Sequence, residues 1–365
     1  MTVRRTAQFA AASALAGSLA AGARPALAQG GSLDPSCPAA PAPLPAVPTP
    51  AQAQSYYQTQ LVRDACQKAV DVFQLLAPQL GTSVAGGNAV LGRGGALGGR
   101  GRFSLGLRAN VVSGALPQLQ SVALSPDGPQ RTATPTKNQV IGLPTADLSV
   151  GLLGGLPIGL TRVGGVDALV SAAYVPNITS GDVAVRTSGS SLQLGLGARL
   201  GILEEGRFVP GVSLTYLRRS LPTVSVTARS GQDTVRVRAL DAGTGAWRLV
   251  ASKRASVIGL ALGVGQDRYS AQASLDAYVA PRSGTTAAGY PYTTPAYSGQ
   301  VASATQRLTR TNYFADVSLG GRAVALVGEV GRASGGSVAP TYNTFGSHAA
   351  GESYTYFSLG VRAGR

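Results

Sequence analysis

The run Leu192-Gln193-Leu194-Gly195-Leu196-Gly197-Ala198-Arg199-Leu200-Gly201-Ile202 alternates without a break between an apolar side chain and a small or polar one. A period of two places Leu192, Leu194, Leu196, Ala198, Leu200 and Ile202 on one face of an extended strand. Gln193, Gly195, Gly197, Arg199 and Gly201 fall on the other. A sandwich strand with its apolar face in a soluble core turns a polar face to water. Here the second face is mostly glycine with a single ion, which suits a narrow interior better than bulk solvent.

The same alternation recurs through the C-terminal two thirds of the chain. Phe103, Leu105, Leu107, Ala109 and Val111 oppose Ser104, Gly106, Arg108 and Asn110, and Ala146, Leu148, Val150 and Leu152 oppose Asp147, Ser149 and Gly151. Val166 to Tyr174 follows, then the run already quoted, then Pro210 to Tyr216. Ile258 to Val264, Tyr269 to Val279, Tyr313 to Leu319, Val324 to Val330 and Phe357 to Ala363 complete about ten predicted strands, within a range of 8–12. Shorter links near 154–165, 204–207, 263–268 and 320–322 alternate with long polar ones near 114–145, 176–190, 218–252, 281–307 and 334–353. Short turns at one end and long loops at the other, joined by an even number of strands, is the pattern of bacterial outer-membrane barrels. The predicted fold class is all-β, an antiparallel transmembrane up-and-down barrel.

Over residues 102–365 the chain thus resembles the small bacterial outer-membrane β-barrel proteins, a porin-like class. The resemblance implies outer-membrane localisation, insertion by the outer-membrane assembly machinery, and contact with outer-membrane lipid and lipopolysaccharide. Tyr174, Tyr216, Tyr269 and Tyr313 fall where interfacial aromatics are expected. The last strand departs from the usual ending, because Arg365 stands where an aromatic is expected. A secreted soluble β-sandwich is the remaining alternative fold.

Ahead of the barrel the composition changes several times. Arg4 and Arg5, an apolar stretch from Phe9 to Gly22 and Ala26-Leu27-Ala28 read as a signal peptide over residues 1–28. Residues 29–52 form a Pro/Ala-rich linker of extended character. Over 53–81, Tyr57, Leu61, Ala65, Ala69, Val72, Phe73 and Leu76 recur at helical spacing, predicting an amphipathic helix, periplasmic or plugging the barrel. Its apolar face needs cover from the barrel mouth, the lumen or a neighbouring chain. Residues 82–101 are dense in glycine, yet offer no G-x-G-x-x-G register and no lysine after a glycine, so a nucleotide loop is excluded. They read as a flexible periplasmic entry into the first strand. Cys37 and Cys66, the two cysteines of an exported chain, favour a disulfide.

The formal net charge is +15, from 31 basic and 16 acidic residues, and the only lysines are Lys68, Lys137 and Lys253. The excess is arginine, scattered rather than striped, and export argues against a nucleic-acid partner. On the faces opposite the apolar set stand the lumen-lining candidates Arg108, Arg199, Arg310, Arg362, Asp147, Asp167, Asp276, Asp316 and Glu329. The single histidine, His348, lies in the last predicted loop near Ser347 and Glu352 without a nucleophile motif. No catalytic residues, metal ligands or cofactor sites are predicted. A monomeric barrel with a narrow, arginine-lined path for small anions is the leading functional expectation. The alternative is a structural or adhesive barrel acting through its loops.

Overall fold

A computed structural model describes residues 31–118, 123–175, 177–180, 183–321 and 323–365. The residues read as a signal peptide lie outside the described ones. Helix α1 spans Pro50–Ala85. The strands are β1 (Phe103–Pro117), β2 (Thr136–Ile158), β3 (Thr161–Tyr174), β4 (Ile178–Ser180), β5 (Val183–Thr187), β6 (Leu192–Leu203), β7 (Gly211–Ser220), β8 (Val224–Ser230), β9 (Asp233–Ala255), β10 (Ile258–Val279), β11 (Arg282–Thr285), β12 (Pro291–Thr294), β13 (Tyr297–Gly320), β14 (Val324–Ala333) and β15 (Tyr354–Gly364).

Among the described residues ten strands close a ring in the order β1-β2-β3-β6-β7-β9-β10-β13-β14-β15, with β15 paired back to β1 and every pairing antiparallel. Closure removes the edges of the sheet, which a membrane would leave unsatisfied. A single closed ring also excludes the sandwich alternative. The short connections 158–161, 203–211, 255–258 and 320–324 gather at one end. Phe103 and Arg365 meet there, exchanging backbone hydrogen bonds of 3.2 and 3.0 Å.

The strand number agrees with the sequence reading, but two offsetting differences lie beneath it. Ile258 to Val264 and Tyr269 to Val279 are one continuous strand, β10, and the expected link at 263–268 does not exist. The expected long loop 218–252 instead holds β8 and most of β9. Both differences have one physical cause. Along β10 the even-numbered residues face outward throughout, first as Ile258, Leu260, Leu262 and Val264, then as Gln266, Arg268, Ser270 and Gln272. The odd-numbered Tyr269, Ala271, Ala273, Leu275, Ala277 and Val279 are buried inside. The apolar set therefore changes face partway up the strand, from the barrel's outer surface to α1 inside.

That inversion corrects two sequence assignments. Tyr269 is not an outward interfacial aromatic; it is buried, and its hydroxyl donates to Asp267 at 3.0 Å. Asp276 does not line the lumen, because it shares the outward parity of Gln272 and pairs with the exposed Arg238 at 3.1 Å.

Helix α1 begins at a capping box. Thr49 accepts from the Gln52 backbone at 3.2 Å, the Thr49 backbone donates to the Gln52 side chain at 2.9 Å, and Pro50 occupies the first turn. The helix runs past the Gly81 expected as its end to a cap at Gly86, whose φ of 56° favours glycine. Of the covers open to it in the sequence reading, it takes the lumen. Leu61, Val62, Ala65, Ala69, Val70, Phe73 and Ala77 pack on Leu240 and Ala242 of β9, Ala271 to Val279 of β10 and Val301 to Ala304 of β13. Tyr57 stacks on Tyr292 of the β11–β12 hairpin, with ring centroids 3.9 Å apart.

The lower outer wall is apolar, with Leu196, Leu262 and Leu359 exposed by 66%, 65% and 63%. Leu196→Arg should therefore lower barrel stability in bilayers by ~2–4 kcal/mol. Urea titration of vesicle-refolded protein, read by heat-modifiable gel mobility, checks this. A parental midpoint would refute a lipid contact at Leu196.

Candidate functional site

The lumen is the candidate site, and its content follows from where the chain goes after α1. The expected periplasmic entry segment does not lie outside the barrel: residues 86–99 descend through the interior to the short-turn end before β1 begins. This stretch forms no regular helix or strand. Its peptide groups are buried and must find partners among the wall side chains.

Three tiers of wall residues supply them. At the first, the carbonyls that end α1 face cations. Arg219 of β7 donates to the Ala85 carbonyl at 2.7 Å, and Arg248 of β9 donates to the Gly86 carbonyl at 2.9 Å. The last carbonyls of a helix lack intrahelical donors and carry its negative dipole end, so guanidinium groups suit them. Asp147 holds two of the local arginines, Arg108 at 2.9 Å and Arg219 at 2.8 Å. Arg108 in turn donates to the Asn88 carbonyl at 2.8 Å. Arg248 pairs with Asp267, which also accepts from Asn312 at 3.0 Å, and Tyr356 donates to Asn312 at 2.8 Å.

The second tier is acidic and meets backbone N–H groups. Glu329 accepts from the Asn88 backbone at 2.7 Å; Asp316 accepts from the Asn88 side chain at 2.7 Å and the Gly92 backbone at 3.0 Å. Arg362 donates to the Leu91 carbonyl. At the third tier, Arg199 donates to Asp167 at 2.7 Å while Asp167 accepts from the Leu97 backbone at 3.1 Å. Ser252 accepts from the Gly94 backbone at 2.7 Å.

Close approach requires glycine on both sides of this contact. A Cβ at Gly94 would lie 2.5 Å from the Ser252 nitrogen and 2.7 Å from the Gly211 oxygen. A Cβ at Gly201, on the wall, would lie 2.6 Å from the Ala96 side chain. The lumenal glycines thus make room for peptide backbone rather than for solute.

Arg108, Arg199, Arg362, Asp147, Asp167, Asp316 and Glu329 all lie buried in the lumen beside the descending chain. Arg310 lies higher, donating to the Ser334 and Ala350 carbonyls of the 334–353 loop. Asp276 is outside, as described above. Sequence reading missed Arg219, Arg248 and Asp267, which lay in segments assigned to links. Their signal was parity: Arg219 continues the inward series Ser213, Thr215 and Leu217.

At the loop end, Cys37 and Cys66 form a disulfide with Cα atoms 5.7 Å apart. The Pro/Ala-rich arm before α1 therefore lies at the long-loop mouth. The Gly31 carbonyl accepts from Arg131 at 3.0 Å, the Gly31 backbone donates to Thr341 at 2.8 Å, and the Asp34 backbone donates to Gln67 at 2.7 Å. Asp71 closes the mouth by accepting from the backbones of Tyr342 and Asn343 at 3.0 and 2.9 Å. His348 sits between Glu352 at 3.0 Å and Asn138 at 2.9 Å.

Arg248→Met should leave Asp267 buried without its cation and cost ~3–5 kcal/mol. Adding Asp267→Asn should restore part of that loss. Urea midpoints of the single and double variants test the pair, and a parental midpoint for Arg248→Met would refute it.

No protein-family model matches the chain, and no curated protein matches it by sequence. Among solved structures, in-vitro folded OmpT, an outer membrane protein of Vibrio cholerae, is 10% identical over 72% of this chain and 96% of that chain, with a TM-score of 0.18. The transport unit of the autotransporter AIDA-I from Escherichia coli is 8% identical over 72% and 89%, with a TM-score of 0.25. An anion-selective porin from Comamonas acidovorans is 11% identical over 72% and 98%, with a TM-score of 0.15. Likeness at this level carries no argument about the lumen, and the architecture rests on the ladder itself. By its closed ten-stranded antiparallel ring and apolar outer belt, the chain has the fold of a transmembrane β-barrel.

Proposed function

We propose that this protein is a closed envelope barrel that acts through its long-loop face, and that it displays its own N-terminal arm there. One observation carries the reading: residues 50–99 of the same chain occupy the lumen from the loop mouth to the turn end. The arginines expected to line an anion path support it further, because Arg108, Arg199 and Arg362 are bonded to the plug or to carboxylates that hold it. Short turns mark the periplasmic side of such barrels and long loops the outer side. On that rule the arm at residues 31–49 emerges outside, with the β11–β12 hairpin and the 334–353 loop around it. Outer-membrane lipid, lipopolysaccharide and the assembly machinery are the partners this placement requires.

In planar bilayers the refolded full chain should insert without discrete conductance steps. Anion-selective steps at rest would overturn the closed lumen in favour of a pore. An epitope inserted after Ala46 should be labelled by antibody on intact cells. Labelling only after the outer membrane is permeabilised would reverse the display.

A further inference from the structure

The membrane placement just proposed puts the outer wall of β7, β9 and β10 at the loop-side interface. Tyr216 of β7 and Trp247 of β9 are cross-strand partners, both outward and exposed by 56% and 42%. Paired aromatics at the top of an apolar face mark the membrane–water interface. Below them on the same face lie Leu214, Leu249 and Val264, partners on β7, β9 and β10.

One row toward the loops the register runs Arg218, Gly245, Arg268, Thr309 across β7, β9, β10 and β13. Both arginines point outward and are exposed. The next row is Ser220, Gly243, Ser270 and Arg307, so the β9 positions between the arginines are bare twice in succession. The two arginine Cα atoms are two strand spacings apart, ~10 Å, which leaves a trough between their side chains. The Tyr216 hydroxyl leans over it, within 3.2 Å of where a Gly245 Cβ would stand.

The pairing states of the arginines point to an external ligand. Lumenal Arg108, Arg199, Arg219, Arg248, Arg310 and Arg362 are each bonded to chain carbonyls or carboxylates. Arg218, Arg268 and Arg307 make no side-chain hydrogen bond or ion pair among the described residues. On β9 the nearest outward carboxylate is Asp241, a further step toward the loops and opposite Gln272. Free guanidinium groups at headgroup depth, above an apolar wall, fit an anionic lipid whose acyl chains lie on that wall. Guanidinium geometry favours phosphate.

We propose that Arg218 and Arg268, with the Tyr216 hydroxyl and Arg307 beside them, bind the phosphate of a phosphorylated lipid in the loop-side leaflet. The test uses the full refolded chain in detergent, with bisphosphorylated lipid A and its dephosphorylated form as probes, and native mass spectrometry as readout. The parent should retain the phosphorylated form at least about tenfold better, the gain expected of charge-assisted hydrogen bonds. Arg218→Gln with Arg268→Gln should abolish that preference while leaving heat-modifiable mobility unchanged. Equal retention of the two lipids by the parent, or an undiminished preference in the double variant, would overturn the site. If the double variant fails to fold, the parent's own discrimination and each single variant decide. Intact-cell labelling of the arm reports on membrane placement separately, so a failed lipid site is distinguishable from a reversed barrel.

Discussion

A peptide group taken out of water must be given a partner, and this requirement organises the barrel interior. The chain from Gly86 to Gly99 crosses the lumen without a ladder of its own. Its carbonyls are met by Arg108, Arg248 and Arg362, with Arg219 on the preceding Ala85 carbonyl, and its N–H groups by Asp167, Asp316, Glu329 and Ser252. Arg108, Arg219 and Arg248 are therefore held twice, by the carboxylates beside them and by the carbonyls they serve. A charge set that would be costly to bury in isolation becomes the scaffold on which the descending segment rests.

The second organising feature is the reversal of the strand faces with height. In the lower wall the outside is apolar, and the lumenal positions are small or charged. Above it, the outward residues are polar and α1 supplies an apolar partner within, so Leu240, Ala242, Leu275 and Val279 turn inward. The long strands β9, β10 and β13 extend far enough to shelter the helix, which is why they outreach β6, β7 and β14.

This reversal also sets how far the sequence could be read. Strands confined to the lower wall, such as β3 and β6, show one uniform alternation and were legible with their inward residues. In β10 the apolar set switches parity between Val264 and Tyr269, which in sequence imitates a strand end. In β9, Gly243 and Gly245 empty the outward face where Trp247 and Leu249 had filled it, and the pattern dissolves. The same failure misplaced Asp276 and concealed Arg248 and Asp267. Cys37 and Cys66 were legible because the chain holds no other cysteine. The course of α1 was not, since an amphipathic stripe specifies an apolar neighbour without naming it.

The disulfide near the mouth has a mechanical consequence. Cys37 and Cys66 tie the arm back along the first half of α1, where Arg63 also donates to the Pro38 carbonyl. The outer end of the threaded chain is therefore a closed loop two segments thick, while its inner end continues into the wall at β1. Traction from the short-turn end would draw that loop against the rim like a toggle, and traction from the long-loop end would pull on the barrel's own first strand. The stopper is captive from both directions, so any widening of the lumen has to come from rearrangement in place.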